Sequence, residues 1–129
     1  MPAAIPDDVR ALLSEPIFFH VATINPDGSP QLSVVWAEID GDLIRFSTAE
    51  GRAKPSNLRR DPRIAISFSP PDDPYRNIVI NGHAVEIEQR GTALIDHMAR
   101  KYTEADEYKW AQPGEVRVDI AVEIDRITG

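Results

Sequence analysis

The segment EVRVDIAVEIDRI, residues 115 to 127, alternates without a break. Val116, Val118, Ile120, Val122 and Ile124 fall on one side, and Arg117, Asp119, Ala121, Glu123 and Asp125 on the other. A period of two belongs to extended backbone, whose successive side chains leave opposite faces, so a strand with one apolar and one wet face is expected. An apolar strand face must be covered by other elements, which commits the chain to a sheet. Weaker alternation recurs in IFFHVATI (17 to 24), QLSVVWAEI (31 to 39), DLIRFST (42 to 48), RIAISFS (63 to 69) and RNIVINGHAVEI (76 to 87). Six strands are therefore expected.

The connectors carry turn chemistry. NPDGSP separates the first two strands and Asp40-Gly41 the next two, so the first three strands read as a meander. Asn81-Gly82 marks either a further hairpin or a Gly inside one bent strand, and the bent strand is the expectation. Helices are few. PDDVRALLSE opens with Pro6, Asp7 and Asp8 and sets Val9, Leu12 and Leu13 on one side; TALIDHMARKY spaces Leu94, Ile95, Met98 and Tyr102 helically, with Thr92 as its cap. A third short helix starts near Arg52 and ends before Pro62. This pattern is all-β with flanking helices, an antiparallel barrel or sandwich in one domain, residues 1 to 129.

Composition excludes several classes. No apolar run nears the roughly 20 residues that cross a bilayer. MPAAIPDDVR lacks the basic start and apolar stretch of a leader, and cysteine is absent, so a cytoplasmic protein with neither disulfides nor thiol chemistry is expected. His20, His83 and His97 have no ligand spacing, no metal site is expected, and no GxSxG nucleophile motif occurs. A formal net charge of -7 and 7% aromatic residues supply neither the basic face nor the stacking platforms of a nucleic-acid binder.

Against that acidity, STAEGRAKPSNLRRDPR (47 to 63) gathers Arg52, Lys54, Arg59, Arg60 and Arg63. A strand ending in Ser47 and Thr48, a Gly at 51 and a helix opening with Arg52 and Lys54 bring hydroxyls, free amides and two cations to one point. That combination binds anions. Arg59 and Arg60 also suit a plain solvated helix C-terminus, and Arg63, heading the next strand, reads as structural.

The order of FFHVATINPDGSPQLSVVWAEIDGDLIRFST, GRAKPSNLRRDPRIAISF and INGHAVEI resembles the pyridoxamine 5′-phosphate oxidase-like split β-barrel superfamily. Within it the chain resembles the deazaflavin-dependent (FDOR-B) branch, which uses coenzyme F420. The most specific pieces are DGSPQLSVVW and the KxxNLxxDPR helix. The resemblance implies a six-stranded antiparallel split β-barrel of the FMN-binding type, paired as a homodimer with cofactor sites at the interface. It implies that Lys54 holds the cofactor phosphate with Ser47, Thr48 and Arg52, that Asn57 helps the ring or its tail, and that the backbone of Ser33, Val34, Val35 and Trp36 runs beside the ring. Arg59 or Arg60 would meet the glutamyl tail, and Tyr108, Lys109 and Trp110 would reach over the partner's site.

Two departures argue against pyridoxamine-phosphate oxidation. Gln31 and Ser33 stand where those FMN oxidases carry a phosphate-binding Arg, and their longer C-terminal part has no counterpart in the chain. The implied activity is hydride transfer from reduced F420 to an electron-poor double bond of a small organic acceptor. No catalytic side chain is assigned; water, Tyr102, His20 and His83 are the candidate proton sources. The alternatives are an FMN-dependent oxidase or reductase, a non-catalytic F420 carrier, and an interaction module that binds no flavin.

Overall fold

The computed structural model describes residues 3–129. Met1 and Pro2, the start of the stretch read for a leader, lie outside the described residues. In chain order the elements are α1 (Asp7–Leu13), β1 (Phe19–Ile24), β2 (Pro30–Val35), β3 (Ala37–Asp40), β4 (Leu43–Ala49), α2 (Ala53–Arg60), β5 (Arg63–Phe68), β6 (Ile78–Glu88), α3 (Ala93–Thr103) and β7 (Arg117–Thr128). Among the described residues no helix is long and apolar enough to cross a membrane.

The seven strands form one antiparallel sheet in the order β2-β1-β5-β6-β7-β4-β3. Six strands and an opening meander were expected, and both expectations need correction. The segment 31 to 39 breaks at Trp36: its first half pairs with β1 from Val35↔Phe19 to Pro30↔Ile24, its second with β4 from Ala37↔Phe46 to Asp40↔Leu43. Those halves stand at opposite margins of the sheet although a single residue separates them. The sheet must therefore curl until its margins meet at Trp36, which makes it a barrel. Beyond that residue the margins diverge, and the barrel is split there.

The expected long bent strand is present as β6. Its register against β7 shifts at Asn81/Gly82 and again between Ala84 and Glu86, where bulges tighten the curl. A methyl group at Gly82 would run into the Glu123 carbonyl and lie 2.9 Å from Val122 Cγ1, so the neighbouring strand approaches more closely than any side chain permits.

Alternation sends Phe19 and Val21, Ile44 and Phe46, Ile64, Ile66 and Phe68, Ile78 and Ile80, and Val118, Ile120, Val122 and Ile124 into one core. Burying each of the larger side chains contributes roughly 1.5–3 kcal/mol. α1 adds Val9 and Leu13 to that core, and α2 adds Leu58. α3 packs against β4 with Ile95, Met98 and Ala99 buried outside the main core.

Two local expectations also change. Arg117, Asp119 and Ala121 are buried, so the second face of β7 is wet only toward its end. Thr92 precedes α3 with ψ near 2° rather than extended, and its hydroxyl makes no capping bond; its carbonyl accepts the Asp96 amide at 2.9 Å.

Candidate functional site

The split between β2 and β4 is a cleft of about 270 Å³. Its origin lies in the pairing. β2 is bonded to β1 on one side only, and β4 runs past its last pair with β3, Ala37↔Phe46, so β2 and residues Ser47 to Ala49 each turn an unpaired edge to the gap. Ser47 and Thr48 point to opposite faces of the sheet, yet both line the cleft because it follows that open edge. Val34, Val35, Trp36, Arg52, Lys54, Ile95, Tyr108 and Trp110 complete the lining.

The basic end forms where β4 hands over to α2. Gly51, at φ 86°, takes the left-handed turn, and extended Arg52 starts the helix. The amides of Ala53 and Lys54 belong to the first turn and have no helical acceptor, while Pro55 has no amide to satisfy. Lys54 is buried, and its Nζ crosses the gap to donate to Ser33 Oγ at 2.9 Å. Burial, together with the charges of Arg52 and Arg117, pushes the Lys54 ammonium below the usual lysine range. An anion here would relieve that cost.

Arg117 enters this site from β7. Its Nη1 donates to Glu115 Oε1 at 2.6 Å and its Nε to Ser47 Oγ at 3.1 Å, while Arg52 Nη2 lies 3.8 Å from the same Glu115 carboxylate. The Arg117 hydrogen bond is the main reason Glu115 sits below the ordinary glutamate range. Thr48 Oγ1 is buried and has no partner among the described residues. Buried hydroxyls are normally bonded, so an orphan at the edge of a cationic cleft suits a ligand oxygen.

An aromatic wall completes the cleft. Trp36 stacks on Tyr102, and Tyr108 and Trp110 meet the Trp36 ring edge-to-face at centroid distances of 6.3 and 6.1 Å. The Asp96 carboxylate accepts the Tyr108 amide at 2.9 Å, which ties this segment to α3. Tyr108 and Trp110 thus line the cleft of their own chain, and Lys109 is exposed.

Seven of the ten expected site residues line the cleft: Val34, Val35, Trp36, Ser47, Thr48, Arg52 and Lys54. Ser33 joins them through Lys54. Asn57 points elsewhere, donating Nδ2 to Thr23 Oγ1 and to Asn25 Oδ1, both at 3.0 Å, beneath α2. Arg60 bonds the Ile24 carbonyl and Asn57 Oδ1. Arg59 is paired with Glu50 at 2.8 Å, and Arg63 with Asp61 at 2.6 Å. None of those three arginines lines the cleft. Arg117, Glu115 and Ile95 were not expected in the site. Arg117 and Glu115 leave a faint signal only, a charged pair at the start of the last strand.

His20 and His83 stand away from the cleft, and His97 Nε2 lies 2.7 Å from Glu38. His83 has Asp125 at 2.9 Å from Nδ1 and Glu123 at 3.3 Å from Nε2, so carboxylates engage both its ring nitrogens. Tyr102 donates its hydroxyl to the Ile17 carbonyl at 2.6 Å, and burial pushes its pKa up to about 12.

A family model described as pyridoxamine 5′-phosphate oxidase matches residues 5–127. A solved structure called an F420 reductase is 30% identical, with a TM-score of 0.84, over 96% of this chain and 98% of its own. A conserved hypothetical protein of Mycobacterium tuberculosis is 24% identical, with a TM-score of 0.74, over 98% of this chain and 84% of its own. The heme storage protein HutZ of Vibrio cholerae is 11% identical, with a TM-score of 0.67, over 98% of this chain and 94% of its own. The last two show the fold alone.

Proposed function

The chain belongs to the pyridoxamine 5′-phosphate oxidase family, and on that footing we propose that it is an oxidoreductase that binds coenzyme F420 in the cleft between β2 and β4. The observation that carries this reading is the convergence of Arg52, buried Lys54 and the partnerless Thr48 hydroxyl on a cleft that an aromatic wall also lines. Cations and hydroxyls fit a phosphate, and Trp36 with its neighbours fits a flat apolar ring. The open edge of β2 adds unpaired backbone donors and acceptors for a heteroatomic ring edge. F420 is preferred to FMN because the 30% identical structure called an F420 reductase covers nearly the whole chain, and because β2 carries no Arg.

When bound, reduced F420 supplies a hydride to an electron-poor double bond of a small organic acceptor. The chain's own contribution is placement: Lys54 and Arg52 fix the phosphate, the β2 edge orients the ring, and the Trp36 wall keeps water from one side. Tyr102 is not the proton donor in this reading, since its hydroxyl is committed to Ile17 and Ala37. Protonation of the product falls to water.

A cleft of about 270 Å³ is small for a whole cofactor with its tail. A homodimer would enlarge it. Leu32 and Val34 of β2, 70% and 54% exposed, share an outer face with Ala22 and His20 of β1 and Ala65 and Ser67 of β5. Those six positions bear no formal charge in a chain that is 27% charged, the next residue of that face on β5, Arg63, is paired with Asp61, and Val34 also lines the cleft. Pairing two chains across it would set a partner beside each site.

The test is a fluorescence titration of the purified protein with F420 and with FMN, followed by turnover with enone and quinone acceptors. Micromolar F420 binding with oxidation of the reduced cofactor is the expected result. Tight FMN in the purified protein would replace F420 by FMN, and F420 binding without turnover would make the protein a carrier.

A further inference from the structure

We infer that Arg117 is a positioning residue of the anion end of the cleft: it holds the Ser47 hydroxyl so that its proton is offered to a bound oxyanion, and it fastens the aromatic wall to the same point. The inference rests on the cleft being an anion site, as argued above.

A hydroxyl has one proton and two lone pairs. Arg117 Nε donates to Ser47 Oγ, which occupies a lone pair and leaves the proton free. No group among the described residues accepts that proton, and the neighbouring Thr48 hydroxyl is likewise without a partner. Two O–H donors without an acceptor therefore leave β4 from successive residues, on opposite faces of its open edge, and the same cleft holds an ammonium with two N–H bonds left after Ser33. A tetrahedral oxyanion has the acceptors to use all of them.

Arg117 is suited to this role because it is fixed from three sides. Only 5% exposed, it is locked by Glu115 on Nη1, and its guanidinium lies 5.1 Å from the centroid of the Tyr108 ring. Tyr108 in turn touches Trp110 at 5.6 Å between centroids and Trp36 at 6.3 Å. One side chain thus joins the Ser47 hydroxyl to the ring wall of the cleft. A surface ion pair with Glu115 would need neither the burial nor the third contact. Its charge also adds to the field that any oxyanion at Lys54 experiences.

The test uses inorganic phosphate as probe, read by chemical-shift titration of the whole protein, with Arg117→Gln, Arg117→Lys, Ser47→Ala and the Arg117→Gln/Ser47→Ala double variant. Each single variant should weaken phosphate about tenfold, and the double variant should be no weaker than Arg117→Gln, since both remove one donor. Arg117→Lys should restore little, lacking the fork that reaches Glu115 and Ser47 together. Ser47→Ala leaves every charge in place, so it tests the idea even where Arg117→Gln misfolds. Wild-type affinity in Ser47→Ala, or strictly additive losses, would overturn the inference. Phosphate failing to bind the wild type would overturn both it and the anion site. Phosphate binding with the expected coupling, but no affinity for F420, would sink the proposed cofactor and leave Arg117 in its role.

Discussion

Trp36 and Tyr102 lie face to face, with ring centroids 5.3 Å apart and planes 16° from parallel. The same tyrosine accepts the Ala37 amide at 3.1 Å and donates to the Ile17 carbonyl, so a single side chain from α3 supports both the ring and the backbone at the point where the sheet margins meet. Tyr102→Phe keeps the stack and deletes the hydroxyl. We expect a loss of about 1–3 kcal/mol in urea unfolding, because a buried amide and carbonyl lose a partner. With a pKa pushed up to about 12, the neutral phenol is favoured in the fold. Its contribution to stability is whole below about pH 10, the unfolded value, and is lost as pH rises through about 12. In an alkaline absorbance titration the wild type should show a phenol ionising near pH 12 that is missing from the variant.

Lys54→Ala should weaken F420 by about 1.5–3 kcal/mol, the worth of a charge-assisted contact to phosphate. Wild-type affinity in this variant would remove Lys54 from the site. Because the lysine sits below its usual range in the fold, the bound proton disfavours the folded state at neutral pH. That cost fades as pH rises from the depressed folded pKa toward the unfolded value of 10.5. Lys54→Met should therefore make the ligand-free protein more stable at pH 7, by about 1 kcal/mol, and the difference should shrink in alkali. Denaturation curves at two pH values decide it.

Gly82→Ala tests the close approach of β6 and β7. The added methyl meets strand backbone at Glu123, which cannot swing aside as a side chain would. A destabilisation above about 3 kcal/mol is expected, more than an ordinary surface substitution gives. Thermal unfolding within a few degrees of wild type would mean that the bulge can relax.

Leu32→Glu places a charge on the outer face shared by β2, β1 and β5. If two chains pair there, light scattering should find a dimer for the wild type and a monomer for the variant, with weaker F420 binding in the latter. A monomeric wild type would end this reading of the face.

Most strands are legible in the sequence because alternation is local. The break at Trp36 is not, and the reason is physical: Gln31, Ser33, Val35, Ala37 and Ile39 keep the same inward parity through the bend. The pattern records which way side chains point and is silent on which neighbour the backbone bonds. The basic end of the cleft was legible because Ser47, Thr48, Arg52 and Lys54 lie within eight residues, joined by a Gly turn. Arg117 was assigned to a wet face, since the helix and the segment that cover it come from residues 93 to 116 and leave no mark on β7 itself. Asn57 illustrates the converse. The family resemblance puts it beside the ring or its tail, but one turn of α2 carries it round to Thr23 and Asn25.

The single residue between β2 and β3 has a mechanical consequence. Two margins that share no strand pairing are joined by a peptide linkage, so the chain itself ties them at the point where other barrels rely on a zipped seam. A nick between Trp36 and Ala37 would leave every strand pairing intact, and the margins would then be held by side chains alone: Lys54 on Ser33, Tyr102 on Ile17 and Ala37, and the shared core.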